Sequence, residues 1–371
     1  MKHIKGLDTL RAFAVIFVII QHWGPPFNYK SPLGHFVVWI LLPNGSDSVY
    51  VFFVLSGFLI TSILLNARIE NKEANRLLIV KNFIIRRAFR IFPIYYLTVF
   101  ILYYFYDNVK DNIWYLLTYT LNIISYNKNS FISDFAHSWT LSIEEQFYLV
   151  WPWLILFINR KYLKYLFAGA IFIGIVSSYI TLGITHHIDP FPVYNCLDSF
   201  GFGGLYAYVL LNAADSKKFE KVIKLIVPVF ISTHLYWNIA GYVNQPQYGM
   251  WMLKTVDSIT AVWLIILITN NKSLFLKKYL LENKVLNFIG KISYGIYICH
   301  PFIVRVDGPF KAFIDDRIVY NPFWHDFLTN DYFFYALDLA LLIFVCWLSY
   351  TFIEMPILSL KRFFKYNQRP D

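Results

Sequence analysis

The sequence predicts an all-α membrane protein, a polytopic helix bundle, and three observations support this fold class. Of its 371 residues, 57% are hydrophobic and only 15% are charged, whereas soluble domains carry about 25% charged residues. Apolar runs recur at lengths close to the roughly 20 residues that a helix needs to cross the hydrocarbon core. The basic residues gather in short stretches between these runs, as the positive-inside rule predicts.

Ten apolar runs are candidates for membrane crossings. They lie at residues 7–23, 49–65, 93–106, 143–158, 166–182, 197–211, 222–239, 256–269, 288–304 and 333–353. About ten transmembrane helices, with both termini inside, place every basic cluster in the cytoplasm. An eleventh crossing, at the shorter run 113–124, would put the basic cluster at 160–164 outside. We therefore expect residues 113–124 to form a re-entrant segment or to lie in the outer interface.

Charge and cysteine usage exclude other classes of protein. The formal net charge of +10 would suggest nucleic acid in a soluble protein. Here membrane topology accounts for it, so we expect no nucleic-acid partner, with an anionic ligand on the inner face as the alternative explanation. The three cysteines show no CxxC or His/Cys ligand spacing, so neither a disulfide framework nor a metal site is indicated. We expect a single transmembrane domain over residues 1–371, without an appended soluble domain.

The first apolar run carries charged residues that need an explanation. Arg11 and His22 are 11 residues apart, about 1,100° of helical rotation, which puts both side chains on one face about 16 Å apart along the axis. An arginine inside the membrane is costly and usually marks a pathway or a site. Asp8, one turn before Arg11, can pair with it. The alternative is a structural Asp8–Arg11 pair and an interfacial His22.

The stretch HSWTLSIEEQFYLVWP, from His137 to Pro152, places two glutamates before a wholly apolar helix. A capped helix with an acidic first turn explains one of them, because a carboxylate suits the positive end of the helix dipole. The second goes beyond this structural explanation. A carboxylate from Glu144 or Glu145 could orient an imidazole in an acid–base pair, and Glu144 shares a helix face with Tyr148.

A basic stretch, NFIIRRAFRIFPIYYL, leads into the third apolar run. Arg86, Arg87 and Arg90 are expected on the cytoplasmic side, and their guanidinium groups suit phosphates because they donate pairs of parallel hydrogen bonds. Tyr95 and Tyr96 follow at the expected membrane interface. The structural alternative is that the arginines only anchor the helix on the cytoplasmic side.

Two further motifs admit structural explanations. In ISYGIYICHPFI, His300 closes an apolar helix beside Pro301, and a single histidine at a helix end is more often interfacial than catalytic. In VFFVLSGFLIT, Ser56 and Gly57 lie in mid-membrane, where small residues allow close helix packing. Ser56 is not predicted to be a nucleophile, because the GxSxG spacing and a base are absent.

In this order, the motifs resemble the acyltransferase-3 family of membrane O-acyltransferases over nearly the whole chain. The resemblance rests on GLDTLRA with the later His22, FFVLSGFLI, RRAFRIFPIYY, HSWTLSIEEQFYLVWP and SYGIYICHPF. It implies about ten transmembrane helices in the plasma (inner) membrane of a bacterium. It also implies a cytoplasmic acyl-CoA donor, usually acetyl-CoA, and a carbohydrate or lipid-linked glycan acceptor reached from the outer side.

The resemblance implies roles for individual residues. In such proteins the pair that corresponds to Arg11 and His22 is the central catalytic element. The phosphates would bind at the basic stretch and the thioester would reach His22, which would act as a general base or carry the acyl group. Glu144 would orient or charge-balance His22. The predicted site residues are catalytic Arg11, His22 and Glu144, cofactor-binding Arg86, Arg87, Arg90, Tyr95 and Tyr96, and supporting Asp8, His137, Glu145, Tyr148 and His300.

Two positions depart from the family pattern, and a second function class stays open. Thr9 stands where a glycine is frequent, and Tyr50 where an acidic residue is frequent, with Asp47 one turn away as the candidate substitute. The alternative function is a transporter or flippase for a glycan or small organic acid, because intramembrane Arg, Asp and Glu also fit that class. Thioester consumption without a solute gradient would distinguish the two.

Overall fold

The all-α prediction is confirmed for the part of the chain that the structure describes. In this computed structural model, those residues are 4–24, 45–70, 75–131, 135–187, 191–244, 250–270, 277–303 and 331–366, and they contain helices and turns but no β-strand. The helices are α1 (Lys5–Trp23), α2 (Gly45–Glu70), α3 (Arg76–Phe105), α4 (Asp107–Asp111), α5 (Ile113–Leu117), α6 (Leu121–Lys128), α7 (Trp139–Phe157), α8 (Leu163–Ser178), α9 (Leu197–Val209), α10 (Ala213–Asn244), α11 (Met250–Thr269), α12 (Lys284–Ile303), α13 (Asp331–Ser349) and α14 (Met355–Ser359).

Within the described ranges, seven helical stretches are long and apolar enough to cross a membrane. They are Gly6–Trp23, Asp47–Glu70, Arg76–Phe105, Arg160–Ile184, Ala213–Ile239, Trp251–Thr269 and Tyr332–Phe363. The other three predicted crossings coincide with α7, α9 and α12, of which α9 has only 13 residues, about 20 Å of helix. The chain is therefore a polytopic helical membrane protein. Ten crossings and the side on which the termini lie stay predictions.

The apolar run 113–124 does not form one helix. It is divided between α5, of five residues, and α6, of eight residues. The turn between them includes Tyr119 with a φ of 52°. Neither helix approaches the roughly 20 residues of a crossing, which agrees with the expectation that this run does not cross as a single helix. Its depth in the membrane stays a prediction.

Helix α3 begins earlier than the sequence indicated. The predicted crossing started at Pro93, but the helix starts at Arg76 and continues to Phe105 with Pro93 inside it. The side chain of Asn75 caps its first turn by accepting a hydrogen bond from the Leu77 N–H at 2.9 Å, and proline is tolerated inside membrane helices. The basic stretch therefore lies within a long helix and not on a loop at its entrance.

Helix α1 lies between the two apolar cores of the bundle. Leu7 and Leu10 pack into a cluster with α2, α9, α10 and α11, while Val15 and Val18 join a cluster formed mainly by α2, α3, α7 and α12. The start of α1 contacts α12 very closely, because a Cβ at Gly290 would lie 1.9 Å from the Asp8 carbonyl oxygen. Only a glycine permits this approach.

Replacing Gly290 by alanine should destabilise the protein by about 1–3 kcal/mol, the usual cost of overpacking, because the new methyl group meets the backbone of α1. Gly169→Ala is the matched control, since a Cβ there has nothing within 4 Å. Thermal unfolding of the purified variants in detergent measures both. Equal unfolding midpoints for the two variants would contradict the close contact of α1 with α12.

Candidate active site

Three cavities follow one another along one face of α1. The basic cavity, with about 380 Å³ of free volume, is lined by Arg11 and Lys361 among others. The central cavity, with about 90 Å³, includes Glu144 in its wall. The histidine cavity, with about 280 Å³, is lined by His22 and His137.

Neighbouring cavities have wall residues in common, so the three cavities adjoin one another, and we call their sequence the path. The central and histidine cavities share one residue each from α2, α7 and α12, and the basic and central cavities share three arginines and two other residues. The shared residues are Arg11, Leu59, Arg87, Arg90 and Tyr294 for the basic and central cavities, and Val49, Thr140 and Tyr297 for the central and histidine cavities. Arg11 therefore lies towards one end of the path and His22 at the other, as their spacing along α1 predicts.

The basic cavity carries an excess of positive charge. Five cations and two carboxylates line it, which leaves a formal excess of three positive charges. The cations are Arg11, Arg87, Arg90, Lys291 and Lys361, and the carboxylates are Asp8 and Glu354. Arg11 Nη1 donates to Asp8 Oδ1 at 2.6 Å, so the predicted Asp8–Arg11 pair is confirmed. The cations left over make this cavity suitable for a polyanionic group such as a set of phosphates.

Two of the three arginines in the basic stretch face this path. Arg87 and Arg90 line both the basic and the central cavities. The Arg87 guanidinium also lies 5.4 Å from the centre of the Phe83 ring and 5.6 Å from that of Tyr148. Such cation–π contacts restrict where the guanidinium can point, so Arg87 is held at the junction of the two cavities.

The third arginine, Arg86, is placed elsewhere. Its Nη1 donates to the backbone oxygens of Lys361 at 2.8 Å and Phe364 at 3.3 Å, and its guanidinium lies 5.0 Å from the centre of the Tyr366 ring. Arg86 therefore holds α3 against the C-terminal segment and lines none of the three cavities. Its cofactor-binding role stays a prediction that these linings do not support.

Tyr95 and Tyr96, predicted to bind the cofactor, also lie away from the three cavities. The Tyr95 hydroxyl donates to the Leu116 carbonyl at 2.9 Å, and the Tyr96 hydroxyl donates to the Leu117 carbonyl at 3.0 Å. Both hydroxyls are thus engaged with the backbone of α5. These hydrogen bonds fix α5 against α3, and the cofactor-binding role of Tyr95 and Tyr96 stays a prediction that the cavity linings do not support.

Glu144 is the hydrogen-bonding centre of the central cavity. The Ser56 hydroxyl donates to its Oε1 at 3.0 Å, and the Tyr148 hydroxyl donates to its Oε2 at 3.1 Å. Both carboxylate oxygens face these hydroxyls, and Glu144 lines the central cavity whereas His22 lines the histidine cavity. The expected orientation of His22 by Glu144 stays a prediction. Ser56, which the sequence assigned only to helix packing, is part of the cavity wall.

His22 is instead oriented by His300. Their Nδ1 and Nε2 atoms lie 2.7 Å apart, and the rings stack with centroids 4.8 Å apart. The other nitrogen of His300, Nδ1, lies 2.8 Å from the Tyr297 carbonyl oxygen, which can only accept a hydrogen bond. In neutral His300 the proton must therefore be on Nδ1, and Nε2 must accept.

This arrangement determines the tautomer of His22. Because His300 Nε2 accepts, His22 Nδ1 must donate, and His22 Nε2 keeps a free lone pair. A free imidazole nitrogen at the wall of a cavity is what a general base requires. His300 itself is fully buried, so it acts on the chemistry through His22.

His137 completes the histidine cavity. Its ring centroid lies 5.2 Å from that of His300, and its buried Nε2 has no hydrogen-bond partner among the described residues. Its carbonyl accepts hydrogen bonds from the Tyr297 hydroxyl at 3.0 Å and from Thr140 Oγ1 at 3.1 Å. These bonds fix the start of α7 against α12 and place a third imidazole beside His22 and His300.

The remaining predictions concern residues near the path. Glu145 is buried, at 8% exposed, but it lies outside the linings of the three cavities. Tyr50 lines the histidine cavity, whereas Asp47 lines a different cavity, so Asp47 does not substitute for an acidic residue at Tyr50.

Tyr297 was not predicted as a site residue, although its position one helical turn before His300 is a signal that the sequence contains.

A family model described as an acyltransferase domain, Acyl_transf_3, matches residues 4–353. The chain belongs to the acyltransferase-3 family. The match covers α1 to α13, with the whole linings of the central and histidine cavities and most of the lining of the basic cavity, and it confirms the resemblance that the motifs carry. No solved structure matches this chain.

Relatives of this acyltransferase-3 chain carry related names. It is 29% identical to the peptidoglycan O-acetyltransferase OatA of Listeria monocytogenes over 96% of this chain and 56% of OatA. It is 28% identical to the "Putative peptidoglycan O-acetyltransferase YrhL" of Bacillus subtilis, over 96% of this chain and 55% of that protein. A "Putative O-acetyltransferase" of Staphylococcus aureus is 27% identical, over 96% and 57%. The chain thus spans just over half the length of these relatives.

His300→Ala should lower the turnover number of this acyltransferase about 10–100-fold, less than the roughly 10²–10⁴-fold that a general base itself contributes, because His22 stays in place but loses the acceptor that fixes its tautomer. The KM for the acyl donor should stay unchanged. His300→Gln, which restores a side-chain acceptor, should recover part of the turnover. Steady-state kinetics of the three proteins measure this, and a KM effect without a turnover effect would contradict the role assigned to His300.

Proposed function

We propose that this chain is a membrane O-acyltransferase that moves an acetyl group from acetyl-CoA, bound on the cytoplasmic side, to a hydroxyl group of a cell-surface or lipid-linked glycan. The observation that carries the proposal is the path of three adjoining cavities along α1, with a cationic end and an imidazole end. The names of the relatives support acetyl as the group transferred and a glycan such as peptidoglycan as the acceptor.

The basic cavity supports binding of the donor by its phosphates. Its excess of positive charge complements the phosphates of coenzyme A, and guanidinium groups recognise phosphate oxygens through paired hydrogen bonds. Arg87 and Arg90 border both this cavity and the central one. A donor held there can direct its thioester arm towards His22.

The size of the central cavity supports a thin chain passing through it. Its free volume of about 90 Å³ is much smaller than the 380 Å³ and 280 Å³ on either side, so it suits a pantetheine arm better than a sugar. The helical distance between Arg11 and His22, about 16 Å, is comparable to the length of that arm. The acceptor then enters from the histidine cavity and the donor from the basic cavity.

Transfer requires a base at the point where the two substrates meet. His22 Nε2 removes the proton of the acceptor hydroxyl while the hydroxyl oxygen attacks the thioester carbonyl carbon. The C–S bond then breaks, the ester forms, and the coenzyme A thiolate takes the proton back from His22. Throughout, His300 accepts the His22 Nδ1–H and keeps the ring in the reactive tautomer.

Glu144 has a different part in this proposal from the one that the sequence suggested. Its carboxylate lines the central cavity together with Arg11, Arg87 and Arg90, where it offsets part of their charge while no donor is bound. Its bonds to Ser56 and Tyr148 hold two hydroxyls in the wall that the thioester passes. Glu144 is therefore a positioning residue.

The proposed reaction is tested with purified protein in sealed vesicles, with acetyl-CoA on one side and a glycan on the other. Free coenzyme A should appear in proportion to acetylated glycan, and His22→Ala should lower this rate about 10²–10⁴-fold. His187→Ala is the control, because His187 stacks on Tyr126, with ring centroids 4.3 Å apart, and lies outside the linings of the three cavities. Movement of a solute without thioester consumption would contradict the proposed acyltransferase activity and favour a transporter.

Arg87→Ala and Arg90→Ala should each raise the KM for acetyl-CoA about 10–100-fold, the loss expected for a charge-assisted hydrogen bond of about 1.5–3 kcal/mol. Arg86→Ala is the comparison within the same helix. It should lower the thermal unfolding midpoint, because it removes the bonds to Lys361 and Phe364, while the KM stays close to that of the wild type. Equal KM increases for all three variants would mean that the cavity assignment is wrong.

A further inference from the structure

A fourth cavity lies on the opposite face of α1, apart from the proposed reaction path. This lateral cavity has about 490 Å³ of free volume, the largest of the four, and most of its wall is aliphatic or aromatic. Phe13 and Phe17 of α1 contribute to it. Its titratable lining residues are Asp47, His234 and Asp257.

Three separate helices bring these polar side chains together. Asp47 belongs to α2, His234 to α10 and Asp257 to α11. His234 Nδ1 lies 2.9 Å from Asp257 Oδ1, and His234 Nε2 lies 3.6 Å from Asp47 Oδ2. One ligand atom from each of the three residues lies within 4.8 Å of the others.

One oxygen of the cluster has no hydrogen-bond partner in the described part of the chain. Asp257 is only 7% exposed, and this oxygen is its Oδ2. A buried carboxylate oxygen without a partner is costly. Both nitrogens of His234 have neighbours, Nδ1 at Asp257 Oδ1 and Nε2 at Asn238 Nδ2, 3.0 Å away, so a metal ion would replace one of them. No lysine or arginine is among the residues that line the lateral cavity, which leaves His234 as the one basic side chain in that lining beside two carboxylates.

We propose that Asp47, His234 and Asp257 form a binding site for a divalent metal ion, with zinc as the best match. An imidazole nitrogen with carboxylate oxygens is a usual donor set for zinc. Zinc–ligand bonds of about 2.0–2.2 Å at tetrahedral angles put neighbouring ligand atoms about 3.4 Å apart. One ligand atom from each of the three residues lies within 4.8 Å of the others, so side-chain movements that shorten these separations bring the two carboxylates and one nitrogen of His234 onto one ion.

This site is independent of the proposed acyl transfer, because its residues line none of the three cavities of the reaction path. Its effect would be to join α10 to α2 and α11. Only 11% of the most apolar window of α10 is buried, so the helix has few packing contacts to hold it. A metal ion shared by three helices would fix α10 in place, since binding to the folded state alone stabilises it.

The test uses the full chain, purified in detergent, stripped with a chelator and dialysed against zinc chloride. Zinc content by mass spectrometry should reach one ion per chain, and the thermal unfolding midpoint should rise with zinc. His234→Ala and Asp257→Asn should each lose the ion and the thermal gain. His187→Ala is the matched histidine control and should keep both.

His22→Ala controls for zinc held by the histidine cavity and should also keep the ion. If either cluster variant fails to fold, the zinc content of the wild type and the His22→Ala variant still shows whether the chain binds zinc outside the histidine cavity. No zinc on the wild type, or zinc lost from His22→Ala and retained by His234→Ala, would overturn the proposal. Stabilisation by a long-chain alkylamine with no zinc bound would likewise overturn it and indicate a ligand with an ammonium group.

Discussion

A guanidinium group inside a bilayer must face protein or water, and this constraint determines how α1 lies in the bundle. Arg11 meets it by pairing with Asp8 at 2.6 Å and facing the basic and central cavities. Because α1 continues as one helix to Trp23, the orientation of Arg11 also determines where His22 points. The close contact between Gly290 and the Asp8 backbone holds this end of α1 against α12, the helix that supplies His300.

The chemistry of the site follows from the same two helices. Within α12, one turn separates His300 from the Tyr297 carbonyl that fixes its proton, and across the contact His300 fixes the proton of His22. The tautomer of His22, the proposed base, therefore depends on the Tyr297 backbone carbonyl, two hydrogen bonds away. Buried hydrogen-bonded networks of this kind specify one geometry when each member has a partner. The other face of α1 borders the lateral cavity, so one helix separates the reaction path from the proposed metal site.

Local features of this protein could be predicted from the sequence, and contacts between distant segments could not. The spacing of Arg11 and His22 predicted that they share a face of α1, and the spacing of Asp8 and Arg11 predicted their ion pair. Both predictions depend only on helix geometry. The hydrogen bonds of Tyr95 and Tyr96 could not be predicted, because the carbonyl groups that accept them belong to α5, 21 residues further along the chain. The partners of Glu144 and the Asp47, His234 and Asp257 cluster join segments that no local pattern relates.

If one path through the bundle connects the arginines to His22, a bound donor should fill it from end to end. Cryo-electron microscopy of the protein with a non-hydrolysable acetyl-CoA analogue would show where the donor lies. We expect density for the phosphates at Arg87 and Arg90, and continuous density through the central cavity to an acyl group beside His22 Nε2. Density for the analogue in the lateral cavity, or side chains that close the central cavity between Arg11 and His22, would contradict it.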